Sequence, residues 1–202
     1  MTALEIDTPQ GLARAHLHPA EQPVGALVLG HGAAGGVSAP DLVAVIDVAR
    51  TERFSVALVE QPYVVAGRRS PAPAHHLDSA WTAVVEELRG GELHELALVV
   101  GGRSAGARVA CRTAADSGAT AVLCLAFPVH APGGSAKAKS RQPELDAVEV
   151  PTLVVQGDSD PFGMPRAGAN VSVVTVAGNH SLKADLEAVA AAVRDWLPGL
   201  VG

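Results

Sequence analysis

Ser104 stands in the run GGRSAGAR, with Gly102 two residues before it and Gly106 two residues after. That run directly follows the apolar residues LALVV, and a stretch of helical periodicity begins after the serine. The pattern Gly-x-Ser-x-Gly in that context sets the serine on a sharp strand-to-helix turn. Such a turn strains the serine backbone, and side chains two residues away on either side would collide. The hydroxyl is then pushed above the sheet edge at a helix N-terminus, where unsatisfied N–H groups can receive a developing oxyanion. The chemistry open to it is attack on a carbonyl carbon, which requires a base and an acid that orients the base. An ordinary tight turn with Ser104 capping the helix would use the same glycines, so the decision rests on the partners.

Asp160 follows the apolar run TLVVQG in the loop GDSDPFG, and His180 follows VSVVTVAG in AGNHSLK. If those runs are parallel strands, Ser104, Asp160 and His180 share the edge formed by the strand carboxyl ends, where open α/β sheets bind ligands. Their chain order, Ser then Asp then His, is that of one hydrolase fold. Asp158 competes for the acid; Asp160 is favoured because Pro161 restricts its backbone to extended conformations. Either aspartate could instead simply make a turn, and His180 could be a surface histidine near a helix start. A second oxyanion donor is expected from Gly30-His31-Gly32-Ala33-Ala34-Gly35-Gly36. Ala33 and Ala105 are the expected donors, with His31 anchoring the loop or touching substrate. Arg68 and Arg69 in AGRRSPAP follow another strand and could reach a substrate carboxylate. His130 and the loop 131–142 lie on the same edge and could form a rim.

The same glycines make a rival reading. Gly30-x-Gly32-x-x-Gly35 is a complete dinucleotide fingerprint after a strand, with Glu60 ending the next strand as a ribose ligand. In that motif the helix starts within the glycines. Here the helical signal begins only at Ser38, and Asp160 and His180 would be left without a role.

The elements that must position these residues alternate along the chain. Residues 3–7 and 11–18 alternate around TPQG as an antiparallel hairpin. GALVLG, SVALVEQ, LALVVGG, AVLCLAFP, TLVVQG and VSVVTVAG are near-continuous apolar runs, as in a parallel sheet covered on both faces. Ser38-Ala39-Pro40-Asp41 reads as a capping box opening a helix whose face is Leu42, Val45, Ile46 and Ala49. Further helical stripes run over Leu77–Leu88 (ended by Gly90-Gly91), Ala107–Ala114, and Leu186–Trp196. Arg108 and Arg112 fall off their stripe. Residues 129–149 read as a polar loop with at most one helical turn. The expected class is α/β: one domain over residues 1–202, a mostly parallel sheet with an N-terminal antiparallel hairpin, and no separate cap domain.

Composition narrows the function. The net charge of −6 offers no basic field for nucleic acid. No apolar run approaches the roughly 18 residues of a membrane span. The start MTALEIDTPQG lacks the features of a signal peptide, so the cytoplasm is the expected address. Cys111 and Cys124 lie in apolar segments and read as small buried hydrophobes. His75–His76 and His16 with His18 lack a third ligand, so no metal is expected. Lys137, Lys139 and Arg141 read as solvated charges.

Taken together, the segments LVLGHGAAGG, EQPYVVAGRR, GGRSAGARVA, LAFPVHAPGG, VPTLVVQGDSDPFG and GNHSLK resemble an α/β-hydrolase. The likeness spans nearly the whole chain and is to the small, lidless branch related to dienelactone hydrolases. It implies Ser104 as nucleophile, Asp160 as acid, His180 as base, an ester or related acyl bond in a small molecule as substrate, and no cofactor. Dienelactone hydrolases carry cysteine where this chain has Ser104, which argues against that particular substrate. The branch also contains scaffolding relatives, so a non-catalytic binding role is the alternative.

Overall fold

The computed structural model describes residues 2–33, 36–131 and 139–201. The alternating N-terminal residues fold as β1 (Thr2–Thr8) and β2 (Gly11–His18), an antiparallel hairpin. Thr8 secures its turn: its hydroxyl donates to the Gly11 carbonyl at 2.6 Å and accepts from the Gln10 N–H at 3.1 Å. The apolar runs become β3 (Gly25–Gly30), β4 (Phe54–Glu60), β5 (Ala97–Arg103), β6 (Ala121–Leu125), β7 (Thr152–Gly157) and β8 (Val171–Val176). All eight form one sheet in the order β1-β2-β4-β3-β5-β6-β7-β8. β2 meets β4 antiparallel, and every pairing from β4 to β8 is parallel. The carboxyl ends of β5, β7 and β8 therefore open on one edge.

Helices α1 (Pro40–Thr51), α2 (Pro62–Val65), α3 (Ala74–Gly90), α4 (Ala105–Thr113), α5 (Gln142–Asp146) and α6 (Leu186–Trp196) surround the sheet. Leu77, Trp81, Leu88, Ala107 and Leu145 pack with Val28, Val100 and Val122 on one face. On the other, Leu42, Val45, Val189 and Val193 pack with Leu27, Leu29 and Leu123. Each fully buried aliphatic side chain contributes about 1.5–3 kcal/mol of transfer free energy. Numerous small residues thus replace the missing aromatics, and the fully enclosed Trp81 is the largest exception.

One expectation changes, one short helix is new, and the helical turn allowed within 129–149 is present. Ser38 does not cap α1: Ala39 holds that position with no side-chain bond, and Asp41 is turned inward toward Arg103. Pairing with the arginine offsets part of the desolvation of a carboxylate that has no exposed surface. The segment after β4 contains a short helix, α2, that Pro62 opens. Within 129–149 the described residues include α5, and residues 132–138, with Lys137, lie outside the described residues. Cys111 and Cys124 are buried free thiols with their sulfurs 3.5 Å apart. The Cys111 thiol alongside and burial together push Cys124 well above the ordinary thiol value.

Candidate active site

β5 ends at Arg103 and α4 begins at Ala105, so Ser104 alone makes the turn between them. Its backbone sits at φ 53° and ψ −106°, a conformation that L-residues rarely adopt. Two anchors hold it there: the Ser104 N–H donates to the Leu125 carbonyl at 2.9 Å, and the Arg108 N–H donates to the Ser104 carbonyl at 3.2 Å. The flanking glycines are needed because β3 crosses beneath the turn. A Cβ on Gly102 would lie 2.5 Å from the Gly30 carbonyl oxygen, and one on Gly106 would lie 2.6 Å from the Gly30 carbonyl carbon.

The loops after β7 and β8 bring two side chains to this serine. His180 Nε2 is 2.9 Å from Ser104 Oγ, and His180 Nδ1 is 2.8 Å from Asp160 Oδ2. Asp160 is itself held at both oxygens. The Gln156 amide donates to Oδ2 at 2.8 Å, and the Phe162 N–H donates to Oδ1 at 2.8 Å. Gln156 has no exposed surface and also donates to the Gly163 carbonyl, so β7 supports the carboxylate from beneath. The Phe162 ring packs edge-on to His180, with centroids 4.3 Å apart. Asp158 is elsewhere, exposed and accepting the Gly178 N–H at 3.0 Å.

Arg103 ties the histidine loop to the rest of the site. Its Nε is 2.9 Å from Asp41 Oδ2, and its Nη2 donates to the His180 carbonyl at 3.0 Å. Nη1 lies so close to Gly32 that a Cβ there would be 2.8 Å away. One guanidinium thus spans α1, the glycine loop and the histidine loop. Burial pushes the Asp41 carboxyl above its ordinary value, and Arg103 opposes this only in part. The sequence shows only that an arginine ending a buried strand needs a counter-charge; which acid supplies it is set by the tertiary fold.

Ala33 and Ala105 both line the cavity at Ser104. Neither N–H has an acceptor among the described residues. The Tyr63 hydroxyl fixes the loop by donating to the Ala33 carbonyl at 3.0 Å, and burial pushes that hydroxyl up to about 12. His31 is an anchor rather than a substrate contact. Its Nδ1–H donates to the Gly32 carbonyl at 2.8 Å, and Nε2 accepts the Gln61 N–H at 3.1 Å. Those bonds define a neutral ring, and burial pushes His31 below its ordinary value of 6.5. Between the lowered value and 6.5 the unfolded chain takes up a proton that the folded protein refuses, so stability falls as pH drops through that window. Tm should therefore decline more steeply from about pH 7.5 to about pH 5 in the wild type than in His31→Gln, which keeps a donor and an acceptor but cannot titrate. Parallel declines would clear His31 of the acid sensitivity.

The cavity measures about 250 Å³ and is walled by Pro71, Ala72, Leu77, Pro128 and Phe162 as well as Ser104 and His180. Arg68 and Arg69 are exposed and do not line it. The short helix α2 carries the chain outward after β4, and it is Pro71 and Ala72 that return to the site. His130 also stays outside, its ring against Gly163, while its N–H donates to the Phe162 carbonyl at 2.9 Å. Arg108, Arg112 and Arg141, none of them expected as site residues, line the cavity instead. Arg141 is partly buried, correcting its reading as a solvated charge.

The dinucleotide reading finds little support. The helix after β3 starts at Pro40, beyond the last glycine of the loop, and Glu60 is engaged with His16 at 2.9 Å. Among the described residues no cluster of three or more His, Cys, Asp or Glu is arranged to hold a metal, and no helix is long and apolar enough to cross a membrane.

Known proteins share this architecture end to end. Est1E from Butyrivibrio proteoclasticus matches with a TM-score of 0.82 at 18% identity, covering 100% of this chain and 99% of that one. XC6422 from Xanthomonas campestris, described as an a/b serine hydrolase without lid, matches with a TM-score of 0.74 at 20% identity, over 98% and 95% of the two chains. The dienelactone hydrolase from Anabaena variabilis matches with a TM-score of 0.78 at 17% identity, over 100% and 98%. No curated protein matches in sequence. A family profile described as "Alpha/beta hydrolase domain" matches residues 23–189. With that match over most of its length, laid on this sheet order, the chain belongs to the alpha/beta hydrolase family.

Proposed function

We propose that the protein is a serine hydrolase of the lidless, dienelactone-hydrolase-like branch, cleaving an ester or related acyl bond in a small molecule. The observation that carries this is the unbroken chain Ser104 Oγ–His180 Nε2–His180 Nδ1–Asp160 Oδ2, with steps of 2.9 and 2.8 Å. His180 takes the serine proton as Oγ attacks the carbonyl carbon. The Ala33 and Ala105 N–H groups bind the resulting oxyanion; one such donor is worth about 3 kcal/mol of transition-state stabilisation. The leaving group departs with the proton held by His180, and water then repeats the cycle on the acyl-enzyme. Asp160, fixed by Gln156, keeps the proton of the neutral ring on Nδ1 and offsets the imidazolium charge. A cavity of about 250 Å³ suits a small acyl group.

The test is covalent. A fluorophosphonate probe should label the wild type at Ser104 and leave Ser104→Ala unlabelled. Equal labelling of both would remove Ser104 from the chemistry. No labelling of folded wild type would favour a binding or scaffolding role on the same fold.

A further inference from the structure

The arginines beside Ser104 are unevenly matched with acids. Arg108 and Arg112 project from α4 and are clamped on both sides. Arg108 forms a two-pronged pair with Glu144 of α5, with Nε to Oε2 at 2.8 Å and Nη2 to Oε1 at 2.5 Å. Arg112 does the same with Asp78 of α3, at 2.8 and 2.6 Å. Its remaining nitrogen leans toward Glu144 at 3.4 Å. Arg141 has no such partner. Its Nη1 donates to the His130 carbonyl at 3.1 Å and reaches toward that of Pro128 at 3.5 Å. No carboxylate among the described residues pairs with it, and the segment 132–138 contains no Asp or Glu. Three guanidinium groups therefore face the cavity against two carboxylates, and the unmatched charge is on the one held by backbone carbonyls alone.

The environment of Arg141 favours an anion. Burial, and then the neighbouring charge of Arg108, push its guanidinium below the ordinary arginine value. Two backbone carbonyls fix the position of Nη1, which leaves the Nε and Nη2 edge without a partner among the described residues. That edge is the planar fork that grips a carboxylate through two parallel hydrogen bonds. The same three arginines also line a wider groove of about 1140 Å³ that continues past α5, so the remainder of a ligand has somewhere to extend. The other walls at Ser104 (Pro71, Ala72, Leu77, Pro128, Phe162) are apolar, and so an anionic group entering the cavity has the arginine side as its polar surface.

We propose that the substrate is an anionic ester, carrying a carboxylate a few carbons from the scissile carbonyl, and that Arg141 binds that carboxylate. This rests on the acyl-transfer reading above. Arg108 and Arg112 are neutralised by their own acids and shape the wall, so discrimination falls mainly to Arg141.

The experiment compares mono(4-nitrophenyl) glutarate with 4-nitrophenyl butyrate, which differ chiefly in the terminal carboxylate. The wild type should prefer the glutarate ester in kcat/KM. Arg141→Gln should lower that preference about ten- to hundredfold, mainly through KM, and Arg141→Lys should restore part of it. Because the readout is a ratio between two esters, a general loss of folding or of nucleophile geometry cancels. A ratio unchanged in Arg141→Gln, or no preference in the wild type, overturns the subsite while leaving the serine hydrolase intact. Binding separates the two ideas in the other direction. Free glutarate should raise the Tm of the wild type and not that of Arg141→Gln, even in protein that hydrolyses neither ester. In that case the anion site stands and the acyl chemistry falls; equal glutarate stabilisation of both proteins overturns the site.

Discussion

Replacing His180 by alanine is expected to lower kcat/KM about 10⁴- to 10⁶-fold on any ester the wild type cleaves. The size follows from the geometry. At neutral pH a serine hydroxyl is a weak nucleophile, and His180 Nε2, 2.9 Å from Ser104 Oγ, is positioned to take its proton. The nearby histidines offer no substitute: His31 holds its acceptor nitrogen on the Gln61 N–H, and His130 does not line the cavity. The double variant Ser104→Ala/His180→Ala should be only a few-fold worse than either single one, because the two act as a unit. Asp160→Asn should also be severe, since an amide can donate to Nδ1 and so favour the wrong tautomer. Steady-state kinetics on the wild type and these four variants, with circular dichroism to verify folding, provide the check. Activity of His180→Ala within tenfold of the wild type would defeat the mechanism, whatever the distances.

The features readable in advance were those with a local signature. The strands announced themselves as apolar runs because both faces of the sheet are covered, and the hairpin did so by alternation around a turn. Ser104, Asp160 and His180 stood out because each follows a strand at the same edge. The ion pairs were hidden for the opposite reason. Arg112 meets Asp78 across 34 positions, and Arg108 meets Glu144 across 36, so no periodicity links them. Arg103 and Asp41 belong to β5 and α1, which touch only once the sheet has ordered its strands. Ser38 misled because a capping pattern describes an isolated helix end. Here Ala39 takes the cap position and Asp41 turns inward to a tertiary partner, Arg103, that a local pattern cannot register. Arg68 and Arg69 misled because α2, four residues long, is too short to leave a periodic trace, yet it redirects the chain before those side chains can reach Ser104.

Gly106→Ala is expected to destabilise the fold, and the sign is informative because helix propensity predicts the reverse. Gly106 lies in the first turn of α4, where alanine would ordinarily gain about 1 kcal/mol. The new Cβ would, however, sit 2.6 Å from the Gly30 carbonyl carbon and 2.9 Å from the His31 carbonyl oxygen, both backbone atoms with no rotamer to yield. Overpacking against a rigid neighbour costs about 1–3 kcal/mol and sometimes more, so sterics outweigh propensity. Gly90, in the last turn of α3, has nothing within 4 Å of the equivalent position, so Gly90→Ala isolates the propensity effect. With rigid backbone on both sides the steric cost belongs near the top of that range, about 3 kcal/mol, and subtracting the propensity gain of about 1 kcal/mol leaves a net loss of about 2 kcal/mol. At about 2–4 °C per kcal/mol for a chain of this size, Tm should fall roughly 4–8 °C in Gly106→Ala and rise by about 1–4 °C in Gly90→Ala. Any relief requires α4 to move off β3, which separates Ser104 at the head of α4 from Ala33 in the loop after β3. Turnover should therefore drop in Gly106→Ala even at temperatures where the protein remains folded, and stay near wild type in Gly90→Ala. A Gly106→Ala protein as stable and as active as the wild type would mean that the backbone of the serine turn does not rest on β3, and the oxyanion geometry built on that contact would fall with it.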